Sequence, residues 1–135
     1  MACIFCDIVN KKLDSHLIYE DSEHIAFLDK YPIDIGHSLV IPRKHYEKII
    51  DMNESEVGDL FSKVPKIAKA ILNITSANAF SLGQNNGKAA KQVVPHVHVH
   101  IIPRYNEKGT VWTNRKIGNE HELNMLAQKI RQKFF

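Results

Sequence analysis

His96-Val97-His98-Val99-His100-Ile101-Ile102 is the stretch that decides how this chain is read. Histidine alternates through it with branched apolar residues, which is the period of a β-strand. Successive side chains of a strand point to opposite faces. Val97, Val99 and Ile101 therefore suit a packed core, and His96, His98 and His100 share the other face at intervals of about 7 Å. That face has three readings. It is a solvated surface that happens to hold histidines; or a metal site using all three rings, against which sheet twist works by splaying same-face neighbours; or it is divided, with one ring on a metal and the others at a reaction centre. The divided reading is favoured. A neutral imidazole is a nucleophile at pH 7, its ordinary pKa being about 6.5. Its attack on phosphorus would give a phosphohistidine-type intermediate, later resolved by water or another acceptor. A neighbouring imidazole can hydrogen-bond a phosphate oxygen or the leaving group, and clustered donors would offset the charge of the transferring group.

Working outward, the same strand pattern runs from Val93 to Ile102, interrupted near its start by Pro95. Before it, Gln84 to Ala90, with Asn85-Asn86-Gly87, reads as a loop, and Ala79-Phe80-Ser81-Leu82 as a strand. Leu17 to Glu20 and His24 to Asp29 form two short strands around the polar turn Asp21-Ser22-Glu23, a hairpin. Tyr31 to Gly36 is a loop, and Ser38 to Pro42 a strand ended by its proline. Asn53-x-x-Glu56 is a capping-box variant that opens a helix. Val57, Leu60, Phe61, Val64, Ile67, Ala68 and Ile71 carry the helical apolar period, and Pro65 within it should bend or split the helix. Asn119-x-x-Glu122 opens a last helix with Leu123, Leu126, Ala127, Ile130 and Phe134 on its apolar side. The expected fold is α+β: an antiparallel sheet of about five strands with a central and a C-terminal helix.

The 135 residues suit a single domain, 1-135, long enough to fold without a disulfide staple. No apolar run approaches the roughly 18 residues of a membrane span, and Met1 to Asp7 lacks the basic and apolar regions of a signal peptide. A cytoplasmic protein with no membrane partner is expected. Eighteen Lys and Arg against 15 Asp and Glu give a charge of +3. That suits a phosphate-bearing ligand, but the basic residues are scattered and form no nucleic-acid stripe or aromatic platform. Cys3-x-x-Cys6 reads, in a reducing compartment, as a metal half-site or a redox pair.

His-φ-His-φ-His-φ-φ, with φ apolar, resembles the signature of the histidine triad (HIT) family at every position. Asn85-Asn86-Gly87-x-x-Ala90-x-Gln92-x-Val94-x-His96 resembles that family's phosphate-binding loop. Gly36-His37-x-Leu39-Val40-Ile41-Pro42-Arg43-x-His45 and Ile101-Ile102-Pro103-Arg104 look like further family blocks. The resemblance runs from Cys3 to about Arg104 and is strongest to the Hint-like branch (protein kinase C interacting protein type). It implies a HIT-like fold, a homodimer, and hydrolysis or transfer of a purine nucleoside monophosphate from a phosphoramidate, acyl-phosphate or polyphosphate substrate. His98 would take up the nucleotidyl group. His100 would contact the phosphate and assist the leaving group, Asn85 and Gln92 would hold phosphate oxygens, and Asp29 would accept the ribose hydroxyls. Phe5, Ile8 and Phe27 would enclose the base. Asp29 as a turn residue, Asn85 as a loop former and the three apolar residues as plain core are the alternatives. Two positions depart from the family pattern: Lys91 stands where a glycine usually precedes the glutamine, and Val93 where some relatives have Ser or Thr. The segment beyond Arg104, with Trp112, is the least constrained part of the match.

A subset of the same family, and the related galactose-1-phosphate uridylyltransferases, resemble this chain in pairing two cysteines with two histidines. Cys3, Cys6, His45 and His96 are accordingly assigned to one structural Zn²⁺, whose four protein ligands would leave no position to activate water. Two reduced thiols without metal, or a reversible disulfide, are the alternatives. His16, His24, His37 and His121 are taken as surface or structural histidines. Two other function classes remain at this point, a nucleotide-binding regulatory protein with incidental catalysis and a zinc-dependent interaction module.

Overall fold

The computed structural model describes residues 3–105 and 117–134; Trp112 lies outside them. Five strands form one antiparallel sheet: β1 (Leu17–Glu20), β2 (His24–Leu28), β3 (Ser38–Pro42), β4 (Ala79–Gly83) and β5 (Val99–Arg104), in the spatial order β1-β2-β3-β5-β4. The expected α+β sheet is therefore present. The helices are α1 (Ile4–Val9), α2 (Glu54–Ser62), α3 (Val64–Thr75) and α4 (Glu120–Arg131).

The sheet separates two apolar layers. Ala26, Leu28, Val40, Val97, Val99 and Ile101 face a core completed by Leu60, Ile67 and Ile71 of α2 and α3 and by Leu123, Ala127 and Ile130 of α4. Ile25, Phe27, Leu39 and Ile41 alternate to the opposite face, where Cys3 and Phe5 cover them. The histidines belong to this second layer, so the strand period assigned their face correctly.

The break expected at Pro65 divides the central helix in two: Pro65 occupies the first turn of α3, where its missing N–H costs nothing, and the chain bends at Lys63 between α2 and α3. Two elements differ from expectation. Helix α1 was not foreseen; its N-cap is the Cys3 thiol, which accepts from the Cys6 N–H at 3.4 Å. The last strand is displaced toward its C-terminus. β5 pairs only from Val99 and continues through Pro103 to Arg104, because Pro95 and the turn bond from His96 N–H to the Val94 carbonyl keep residues 93–98 out of the ladder. His96 and His98 thus keep the alternation of a strand without its hydrogen bonding. The capping box is realised at Asn53, with Glu56 N–H to Asn53 Oδ1 at 2.8 Å and Asn53 N–H to Glu56 Oε1 at 3.2 Å.

Candidate active site and metal centre

Residues 93–98 are held by their neighbours. Val97 N–H donates to the Tyr46 carbonyl at 2.8 Å, which brings the segment carrying His45 beside His96. The His45 and His96 rings lie 5.0 Å apart. The loop before them is fastened to the same segment. Gln92 Oε1 accepts from Gly87 N–H and its Nε2 donates to the Glu47 carbonyl, both at 2.7 Å, while Asn86 Oδ1 accepts from Ile49 N–H at 2.8 Å. Gln92 therefore closes the loop with both ends of its amide. Asn85 stands exposed at the loop's tip. Lys91 takes the left-handed conformation, φ 63°, that a glycine would adopt without strain; this is the physical reason a glycine suits the position.

The triad histidines are all buried, none above 7% exposed, which removes the solvated-surface reading. They divide between two clusters. Cys3, Cys6, His45 and His96 place one ligand atom each within 4.8 Å of the others. The distances from His96 Nδ1 to Cys3 Sγ and Cys6 Sγ are 3.5 and 3.6 Å, from His45 Nδ1 to Cys6 Sγ 3.3 Å, and between the two Nδ1 atoms 3.2 Å. Bond lengths of about 2.3 Å to sulfur and 2.0–2.1 Å to nitrogen in a tetrahedron put S···N edges near about 3.6 Å and N···N edges near about 3.3 Å. The four residues thus fit a zinc ion. His96 Nε2 donates to the Pro42 carbonyl at 2.8 Å, so the ring's lone pair sits on Nδ1 and aims into the cluster, as a ligating histidine requires. Burial pulls the His96 imidazole down to about 4, the Pro42 bond opposing and His45 and His98 assisting, so the ring is neutral near pH 7. Burial, with Cys3 and Asp7 beside it, pushes the Cys6 thiol up to about 11. A thiolate there calls for a cation next to it.

The second cluster is Asp29, His37 and His100, again with ligand atoms within 4.8 Å of one another. His98 lies beside it, its ring 5.1 Å from that of His100. His98 Nδ1 meets the carbonyl oxygen of His96 at 2.7 Å. A carbonyl only accepts, so Nδ1 carries the proton and Nε2 carries the lone pair. Phe5 packs edge-on against His98 at 5.2 Å and against Phe27 at 5.4 Å, and Ile8 packs onto the same layer. These three form an apolar wall beside the nucleophile candidate. Asp29 is buried, with Oδ1 accepting from Tyr31 N–H at 2.8 Å and Oδ2 3.4 Å from His37 Nε2.

His37, expected as a surface or structural histidine, is a buried one: it is 1% exposed and bonded to His100 at 2.9 Å. The signal was present: counting back by two from Ile41 and Leu39 puts residue 37 on the histidine face. His24 is structural, its Nδ1 3.0 Å from Asp21 on the opposite face of the sheet. Burial alone would raise Asp21, but the Tyr19 hydroxyl and the N–H groups of Glu23 and His24 bring it to about 2.

Comparison with known proteins agrees with this architecture. The family model described as HIT domain matches residues 10–107. An adenylylsulfatase of Arabidopsis thaliana is 39% identical over 91% of the chain, which spans 61% of that relative's length. An adenosine 5'-monophosphoramidase of Schizosaccharomyces pombe is 38% identical over 98% of both proteins. Among solved structures, a Zn-bound histidine triad family protein from Mycobacterium smegmatis superposes with a TM-score of 0.83 at 31% identity, over 98% of this chain and 95% of that one.

Proposed function

The chain belongs to the HIT family, and from that premise we propose that it is a nucleotidyl hydrolase or transferase acting on purine nucleoside phosphoramidates, through a covalent nucleotidyl-histidine on His98. The observation that carries this is the hydrogen bond from His98 Nδ1 to the His96 carbonyl, which puts the lone pair on Nε2 and holds the ring in one orientation. Nε2 attacks the α-phosphorus. The bond to the leaving group breaks, and that group departs with the bonding pair and takes one proton from solvent. Nδ1–H remains on the carbonyl and stabilises the charge that the ring acquires. Water then attacks phosphorus and gives up a proton, and the P–Nε2 bond breaks with its pair returning to Nε2, so one water is consumed over the two steps and the protons balance. His100 donates to a phosphoryl oxygen, Asn85 adds a donor at the loop's tip, and Gln92 acts by holding the loop. Asp29 receives the ribose, and Phe5, Ile8 and Phe27 line the base. Dinucleoside polyphosphates would deliver the same nucleotidyl group by the same attack.

The same proposal assigns one structural Zn²⁺ to Cys3, Cys6, His45 and His96, supported by the tetrahedral edges and the His96 tautomer. The metal would supply a fixed strut and no open position for chemistry. A homodimer is included, with the exposed Phe80 and Leu82 of edge strand β4 as apolar surface available to a second copy, as is cytoplasmic residence, in keeping with reduced cysteines.

The test is turnover of adenosine 5'-phosphoramidate followed by acid quench and mass spectrometry. An adenylyl group on the peptide carrying His98 is expected. Turnover with no adduct under single-turnover quench, or no turnover at all, would overturn the assignment.

A further inference from the structure

The loop between β4 and the histidine segment carries a lysine where its backbone suits a glycine. Lys88–Ala90 form a 3-10 turn that ends at Lys91, whose N–H donates to the Lys88 carbonyl at 2.9 Å. Lys91 closes the turn with φ 63°. Glycine adopts that conformation without strain, so the lysine is held there against a backbone cost, and strain kept at a reaction site points to function. Lys91 is exposed, as is Lys88 at the other end of the turn. The stem of Lys48 runs beside the same loop, its Cε 3.7 Å from the position a Cβ would take on Gly87. Among the described residues Lys30, Arg43, Lys44 and Lys63 pair with carboxylates; Lys48, Lys88 and Lys91 do not. The facing segment supplies two acidic residues, Glu47 and Asp51, and Asp51 is engaged by the Lys48 N–H at 3.0 Å. Three ammonium groups against two carboxylates leave the loop's surroundings positive.

Strand order decides which part of a substrate this charge meets. Phe27 and Asp29 lie at β2, the triad at β5, and β4 beyond it. The loop leaves the sheet at Gly83, which pairs with His100. A nucleotide with its ribose at Asp29 and its phosphorus at His98 therefore directs its leaving group toward residues 84–91. Val93, two residues further on, is 87% exposed and its side chain has no proton to give. We propose that Lys91 is a specificity-determining residue, favouring adenylyl substrates whose leaving group departs as an oxyanion, sulfate or phosphate, over those that release an amine. This rests on the reading of His98 as the nucleophile. In the favoured step His98 Nε2 bonds to the α-phosphorus, the P–O bond breaks, and its electron pair stays on the departing oxygen. Lys91 offsets the charge that grows there, and no proton moves. An amine needs a proton to leave, which neither Val93 nor a cation's field supplies.

The test compares two substrates that share the adenylyl group, adenosine 5'-phosphosulfate and adenosine 5'-phosphoramidate, in the full-length protein. The ratio of their kcat/KM values is read for wild type, Lys91→Gly and Lys91→Arg. Lys91→Gly should lower the ratio at least about threefold, within the range of one exposed charge pair, and Lys91→Arg should hold it within about twofold. Raising NaCl from about 0.02 M to about 0.5 M should lower the ratio in wild type more than in Lys91→Gly, because salt screens the ammonium. A fall below about threefold in Lys91→Gly, a fall beyond about twofold in Lys91→Arg, or a wild-type ratio indifferent to salt overturns the proposal. If wild-type protein turns over neither substrate, the functional reading fails and binding decides the inference. ADP, whose β-phosphate stands in for the leaving group, should then lose at least about threefold in affinity relative to AMP on Lys91→Gly, read by calorimetry. A smaller loss, or no binding of either nucleotide, overturns it.

Discussion

The two histidine clusters are built from similar parts and differ in where the protons are. Each brings its ligand atoms within 4.8 Å of one another. At Cys3, Cys6, His45 and His96 the edges run from 3.2 to 3.6 Å, and His96 Nδ1 faces three partners at once. A proton on one edge leaves the others as lone pair against lone pair, so a central cation satisfies the cluster better than protons do. At Asp29, His37 and His100 each close contact has one donor and one acceptor: Tyr31 to Asp29, Ile33 to His37, His37 to His100. Those contacts can be satisfied by protons alone. Residue types and proximity do not separate metal chemistry from proton chemistry here; counting donors along each edge does.

The comparison can be broken at one end at a time. The largest effect is expected from His98→Ala, which should lower turnover by about 10⁴-fold or more while AMP binding by calorimetry and zinc content stay near wild type. A variant with substantial turnover would mean that the two ends were misassigned. Stripping zinc with a chelator, or Cys6→Ser, should break the other end. At free zinc about a thousandfold above its dissociation constant the metal contributes about 4 kcal/mol, a fall of roughly 10–20 °C in Tm on removal. A Tm indifferent to chelator and to added zinc would remove the metal.

Acid sharpens the same contrast. The folded protein holds His96 near 4 because it is buried, whereas the unfolded chain protonates it near 6.5, so between these values the unfolded state binds more protons. The stability contribution is complete above about pH 6.5 and is lost as pH falls toward 4, by up to about 3 kcal/mol in chelator-treated protein. Chemical denaturation at pH 7 and pH 4.5 should show it; a His96→Asn variant with the same pH slope would place the titration elsewhere. The smallest effect belongs to neither end. Lys91→Gly relieves a left-handed residue and should stabilise by about 1 kcal/mol, read as a shift in the denaturation midpoint with zinc content unchanged.

Much of this was legible before any coordinates because the signals were local. The 17–28 hairpin, β3, the Asn53 cap and the break at Pro65 each follow from a few adjacent residues. The two cysteines and four histidines of the site were recognisable through the motif they resemble. What escaped was set at long range. Helix α1 has six residues and a thiol as its cap, too little to hold an isolated helix; it exists because Phe5 docks on Phe27 and His98. The start of β5 depends on where Pro95 lets pairing begin. The orientation of His37 depends on the Ile33 N–H, a backbone group that no side-chain pattern reports. Gln92 was identified as a site residue, but its task of tying Gly87 to Glu47 required the loop's path.

His96 faces Cys3, Cys6 and His45 with its ring and His98 with its carbonyl oxygen. For the lineage of this chain that is a constraint on inheritance. A substitution at Cys3, Cys6 or His45 alone leaves a ring aimed at an incomplete cage, two residues from His98. The three positions should therefore change together, with some apolar or hydrogen-bonded replacement arising behind the same carbonyl. Val97, which separates the two histidines and packs in the opposite layer, can drift independently of them within the limits of its volume.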